Sequence, residues 1–143
     1  MTSPTAIDLF RGEYRFLSNF CPAPVTLSGV TYPTVEHAFQ AAKTTDVEER
    51  QQILACKTPG EAKRLGRTVH LDPNWDEYRQ TFMIGLLRQK FSRPPFRQLL
   101  LDTGDRVLIE GNAWRDTYWG VCNGIGENHL GKLLMRVRDE IQR

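Results

Sequence analysis

Along the chain the apolar positions change spacing several times, and each change marks an element. In TVEHAFQAAK, residues 34–43, Val35, Ala38, Phe39 and Ala42 recur at i, i+3, i+4 and i+7, the spacing of a buried helical stripe. Glu36, Gln40 and Lys43 fall on a separate polar stripe of the same helix. Ahead of it VTLSGVTY, 25–32, alternates apolar and polar around Ser28-Gly29, as a two-residue hairpin does. Behind it Asp46 with Glu49 boxes the start of a helix to about Cys56, and Thr58-Pro59 with Glu61 boxes another that Gly66 stops. Asp72-Pro73 or Asn74 opens the longest helix, whose Trp75, Tyr78, Phe82, Leu86 and Gln89 mark one face to about Phe91 before Arg93-Pro94-Pro95 forbids continuation. PFRQLLLDTG fits a helix closed by Gly104, and VLIE at 107–110 reads as a short apolar strand. After a glycine-rich loop, Asn128 caps a helix carrying Leu130, Leu133, Leu134, Val137 and Ile141 on one side. The sum predicts an α+β fold, mostly helical around a small antiparallel sheet.

Composition narrows the picture. A chain of 143 residues, 40% hydrophobic and 25% charged, fits a single domain over 1–143 able to bury a core without staples. Its formal net charge of +2 demands no polyanionic partner. Three scattered cysteines, Cys21, Cys56 and Cys122, form no CxxC pair and suit a reducing compartment. MTSPTAIDLFRGEYRF contains no apolar run of signal-peptide length, and nothing further along reaches spanning length, so a soluble cytoplasmic protein is expected.

Chemistry concentrates in two places. An outward polar stripe on a helix as short as 34–43 is ordinarily a solvated face, and Glu early with Lys late suits the helix dipole. The segment EGNAWRDTYWGVCNGIGEN, 110–128, is less ordinary: four glycines and two tryptophans bring bare backbone and flat rings together, as a nucleotide or sugar site needs. No GKS or GKT follows, so it is no P-loop, and it does not run from strand to helix as a dinucleotide fingerprint requires. His37, His70 and His129 stand in different elements without HxH or HxxxH spacing, so they read as structural or solvent-facing and no metal is expected. Nothing around Cys56 or Cys122 resembles a nucleophile turn.

EYRFLSNF (13–20), YPTVEHAFQAAK (32–43), NWDEYR (74–79), LLRQKF (86–91), LLLDTGDRVLIEG (99–111), DTYWG (116–120) and GENHLGKLLMRVR (126–138) resemble, in order and spacing, the successive blocks of the NADAR family, also called YbiA-like or DUF1768. The match runs from about residue 10 to 138. It implies a hydrolase for an N-glycosidic bond at a ribose carbon, needing no cofactor. Two substrate classes go with the resemblance: ribosylaminopyrimidine phosphates of riboflavin synthesis, and ADP-ribose attached to guanine in nucleic acid. The partner implied is a small nucleotide-like molecule or an ADP-ribosylated nucleic acid, with no membrane.

Breaking a ribosyl C1′–N bond builds positive charge on the sugar, so a carboxylate under the ring and an acid near the leaving nitrogen are expected. Glu36 is the first candidate and Asp116 the second, their order open. Lys43 lies about 10 Å along the axis from Glu36, too far for a simple pair. It is read either as a phosphate ligand or as an amine that captures the ring-opened sugar. Stacking falls to Trp119, Trp75 and Phe20, with Trp75 equally suited to the core. Gln40 on the stripe, Gly120 in the loop, Arg11, Asn19 and Asn128 complete the candidates for substrate contact, Arg11 and the helix start at Asn128 being suited to phosphate. Where the family often shows a further glycine or small polar residue after YWG, this chain has Val121-Cys122-Asn123, a departure expected to narrow the pocket or change which leaving group fits. Two other classes fit the same residues. A silent nucleotide-binding module would tolerate loss of Glu36, and a nucleic-acid adaptor using Arg64, Arg67, Arg88 and Arg93 would bind in a steeply salt-dependent way.

Overall fold

The structure, a computed structural model, describes residues 6–143. The start of the segment searched for a leader, residues 1–5, lies outside them. By its internal contacts the chain forms two units, one of Asn19–Lys90 and one of the residues up to Ser18 with Phe91–Arg143.

In the unit Asn19–Lys90, β1 (Val25–Leu27) and β2 (Val30–Tyr32) pair antiparallel, Thr26 opposite Thr31. Ser28 and Gly29 both take positive φ, 51° and 81°, so the connection is the mirror-image turn whose twist matches the strands. The outer edge of β1 is finished by a side chain. Gln89 accepts from Thr26 N at 2.7 Å and donates to Thr26 O at 2.8 Å, imitating a third strand.

Four helices follow the hairpin: α1 (Val35–Ala42), α2 (Val47–Leu54), α3 (Pro59–Leu65) and α4 (Trp75–Phe91). Thr34, Asp46 and Thr58 each accept a backbone N–H three residues on, so all three starts fall where the polar caps predict. The reciprocal halves of the two boxes are not made as expected. Glu49 turns to the Thr44 hydroxyl and to His70, and Glu61 reaches Lys57 N. Gly66 ends α3 in ordinary right-handed conformation, φ −59°, so conformational freedom is not its purpose.

Helix α1 packs against α2, α3 and both strands. Consequently every residue from Val35 to Ala42 is buried, the polar stripe included. Along α4 the buried residues are Trp75, Met83, Ile84, Leu86, Leu87, Lys90 and Phe91, while Tyr78, expected on the inner face, is exposed. Apolar residues lie on more than one side of this helix, so spacing alone selects no single stripe.

Lys90 was not singled out by its sequence context, yet it is 1% exposed. Burial pushes its ammonium down to about 8, partly opposed by Cys21. The unfolded chain therefore binds more protons between pH 8 and about 10.5, so stability rises with pH across that window, and at neutral pH the cost of burying the charge is present in full. Urea unfolding is expected to give a gain of up to about 3 kcal/mol between pH 7.5 and 10.5, a rise that Lys90→Met abolishes. An identical pH response in the variant would assign the effect to another group.

In the second unit a 3-10 helix, Gly12–Leu17, is followed after the other unit by α5 (Phe96–Leu101) and α6 (His129–Gln142). Gly104 at φ 63° closes the turn after α5. The strand expected at 107–110 is not one: Leu108 makes a single parallel bridge to Ile7, with hydrogen bonds of 2.9 and 2.8 Å on either side. Its apolar run is short because it is one buried rung, Leu108 being wholly buried. Leu130, Leu133, Leu134 and Val137 bury one side of α6, joined by Arg138, whose Nη1 donates to Thr103 Oγ1 and Arg106 O at 2.9 Å each. Among the described residues no helix is long and apolar enough to cross a membrane, and all three cysteines are free.

Candidate active site

Helix α1 carries one group of candidate residues. Its start is held by Asn19 O, which accepts Glu36 N at 3.1 Å. Asn19 itself is 7% exposed, and its amide nitrogen approaches Met83 Sδ at 3.5 Å. One turn on, Gln40 donates its amide N–H to the Glu36 carboxylate at 2.5 Å, with Glu36 8% and Gln40 4% exposed. A buried carboxylate gripped by a buried amide is not a solvated face. The neighbouring polar residue, His37, is structural. Its Nε2 donates to Cys56 O at 3.0 Å, while Nδ1 accepts from the Thr34 hydroxyl at 2.7 Å.

Lys43 caps the far end of α1, half-buried. Burial pushes its ammonium below the usual lysine range. Glu36 pulls the other way, and Arg67 and Lys63 push it further down. The result is an amine more readily neutral than an exposed lysine, as nucleophilic attack on a sugar aldehyde requires. Behind the stripe stands Gly66. A Cβ there would run into the Gln40 amide, so only glycine lets the end of α3 back onto that side chain. Spacing suggested Gly66 merely as a helix stop. Trp75 belongs to the core: it is 7% exposed, with Phe39 at 5.0 Å and Phe82 at 5.9 Å between ring centroids. Phe20 is 37% exposed.

In the other unit, residues 110–128 form a braced loop. Asp116 Oδ1 accepts the amides of Tyr118 and Trp119 at 3.1 and 2.9 Å, so this carboxylate's visible work is to shape the turn that presents Trp119. Asn112 donates to Glu110 Oε2 and Asp116 O and accepts Asp116 N. Trp119 is half-exposed, its ring edge-on to Tyr118 at 4.9 Å. Gly120 is buried against Glu110 and Asn112 with no room for a side chain.

The phosphate role expected at the start of α6 meets an obstacle. The amides of Asn128, His129 and Leu130 donate to the carbonyls of Gly120, Tyr118 and Trp119, so these helix-start donors are used by the loop itself. Asn128 is no side-chain cap either. At φ 55° it turns its amide to Glu110 N and Leu108 O, 2.9 Å each, tying the 108–110 segment to α6. Val121-Cys122-Asn123 is part of a tight turn: Asn123 and Gly124 take φ 54° and 77°, and Cys122 and Ile125 exchange two hydrogen bonds. The Asn-Gly pair is a hairpin signal that reading the segment as one irregular loop missed. Arg11 is exposed on a groove of about 450 Å3 that Tyr14 and Arg106 also line.

Glu36, Gln40 and Lys43 are thus gathered in one unit with Asn19 beside them, and Asp116, Trp119, Gly120 and Asn128 in the other. One cluster of metal-ligand type occurs among the described residues, Asp46, Glu49 and His70. Its carboxylates are occupied by the cap of α2, the Thr44 hydroxyl and the His70 backbone, so it ties His70 to α2.

The chain has counterparts among known proteins in both sequence and fold. The NADAR domain model matches residues 9–142, and the chain belongs to the NADAR family. The N-glycosidase YbiA of Escherichia coli is 38% identical over 133 residues, covering 90% of this chain and 82% of that protein. An N-glycosidase of Nostoc punctiforme is 40% identical over 136 residues, 90% and 86% of the two chains. A riboflavin biosynthesis protein of Vibrio vulnificus is 37% identical over 134 residues, 91% of this chain but 36% of that protein. The NMR structure of E. coli YbiA superposes with a TM-score of 0.84 at 36% identity, over 99% of this chain and 88% of that one.

Proposed function

We propose that the protein is an N-glycosidase, a hydrolase that adds water across a ribosyl C1′–N bond, the hydroxyl going to carbon and the proton to the departing nitrogen. The observation that carries this reading is the Glu36 carboxylate, buried and gripped by Gln40 with the Lys43 amine further along the same helix. A carboxylate held in a dry site stabilises the positive charge that develops on the sugar ring far better than one in water. Gln40 keeps it in one rotamer. Lys43, with its lowered pKa, either holds the substrate's anion or captures the ring-opened sugar as a Schiff base.

The substrate is a ribosylaminopyrimidine phosphate of riboflavin synthesis, a reading supported by the Vibrio relative's name and by that of a chloroplastic riboflavin biosynthesis protein of Zea mays, 35% identical. ADP-ribose on guanine bases is the second candidate. The three free cysteines suit a cytoplasmic setting.

A product assay by chromatography and mass spectrometry tests both substrates in parallel. Ribose 5-phosphate released from the first is the expected result, and ADP-ribose released from a guanine-modified oligonucleotide would select the second. If neither turns over while ADP-ribose still binds, the protein is a binding module and the hydrolase reading is wrong.

A further inference from the structure

The stripe on α1 faces a second stripe. Lys63, Gly66 and Arg67 are spaced i, i+3, i+4, so they share one side of α3 and the turn after it. Gly66, between them in sequence, lies against the Gln40 side chain, and α1 packs on α3. That contact sets Lys63 and Arg67 beside the end of α1 that carries Lys43. Among the charged groups acting on the Lys43 ammonium, two are these cations and one is the Glu36 carboxylate. Lys43 and Lys63 are half-buried and Arg67 is exposed, so the cluster opens to solvent on the Arg67 side.

Lys63 and Arg67 disfavour the charge on Lys43, which is partly withdrawn from water, and a bound dianion would offset the repulsion among these cations. Lysine supplies a compact charge and arginine a planar fork, a combination well matched to a phosphoryl group. Arg64 lies on a different side of α3, its guanidinium near Gly60.

We propose that Lys63 and Arg67, together with Lys43, form a phosphoryl-binding subsite beside the Glu36–Gln40 pair and select phosphorylated ribosyl substrates over plain nucleosides. The inference rests on the glycosidase reading for its choice of sugar, but its binding test does not depend on turnover. Ribose 5-phosphate and ADP-ribose share the required group and separate its two sources, a terminal monoester and a diphosphate bridge.

Calorimetric titration of the wild-type protein is expected to show binding of at least one of these two probes and none of plain ribose at the same concentrations. Lys63→Gln and Arg67→Gln should each weaken it by about 10- to 100-fold. Arg64→Gln serves as the control and should leave it unchanged. In turnover of the phosphorylated substrate the same two variants should raise KM several-fold, which a merely structural role would not produce. Binding undiminished in both variants, or ribose bound as tightly as ribose 5-phosphate, would overturn the subsite. Phosphorylated-probe binding that depends on Lys63 and Arg67 without any product formation would instead keep the subsite and remove the glycosidase reading.

Discussion

Glu36→Gln is expected to lower kcat by roughly three orders of magnitude while KM stays within a few fold. The replacement is isosteric, and its amide oxygen can still accept the Gln40 N–H now donated to the carboxylate. What disappears is the charge, which in the proposed mechanism acts most strongly once the sugar ring becomes positive. Removing the charge relieves the desolvation of a residue only 8% exposed but also takes away the carboxylate that favours the Lys43 ammonium, so thermal stability should hold or fall slightly. Steady-state kinetics beside thermal unfolding reads both quantities. Full turnover in the variant would mean that the reacting carboxylate is another residue, and loss of substrate binding alone would make Glu36 a recognition group.

The second large effect is expected on stability. Gly120→Ala places a Cβ against the Glu110 carboxylate, the Glu110 carbonyl oxygen and the Asn112 amide. The carbonyl cannot move aside cheaply, because it accepts Val121 N at 2.8 Å, while Gly120 O accepts Asn128 N at 3.3 Å. A loss of about 3 kcal/mol is expected in denaturant unfolding, with loosening of the turn that presents Trp119 visible in its fluorescence. Gly85→Ala is the contrasting case. It sits within α4, and a Cβ there meets nothing within 4 Å, so the helix should gain up to about 1 kcal/mol. If Gly120→Ala were as harmless, the packing between the loop and Glu110 would be far softer than its hydrogen bonds indicate.

Local chemistry was legible wherever a few neighbouring residues decide the outcome. Ser28-Gly29 specifies its turn because two successive positive φ values suit few pairs, and Thr34, Asp46 and Thr58 mark helix starts because a short oxygen-bearing side chain satisfies an otherwise orphaned N–H. The leucine stripe of α6 was equally plain, since that helix buries one side. The family blocks carried the fold class and drew attention to Glu36 and Lys43 before their surroundings were visible.

The outcome differed where two segments distant in the chain meet. Periodicity divides α1 into an apolar and a polar side, but strands and helices cover it all round, and this enclosure turns Glu36 and Gln40 from a wet face into a buried pair. Trp75, suited by type to either role, became core through Phe39 and Phe82. The donors at the start of α6 went to loop carbonyls, and Lys90 was buried by its neighbours. By itself, then, the sequence determined the helices, the first hairpin with its turn, the caps at Thr34, Asp46 and Thr58, and the family. Which polar groups lost their water was decided by the tertiary structure alone, because desolvation depends on everything packed around a side chain and not on its neighbours along the chain.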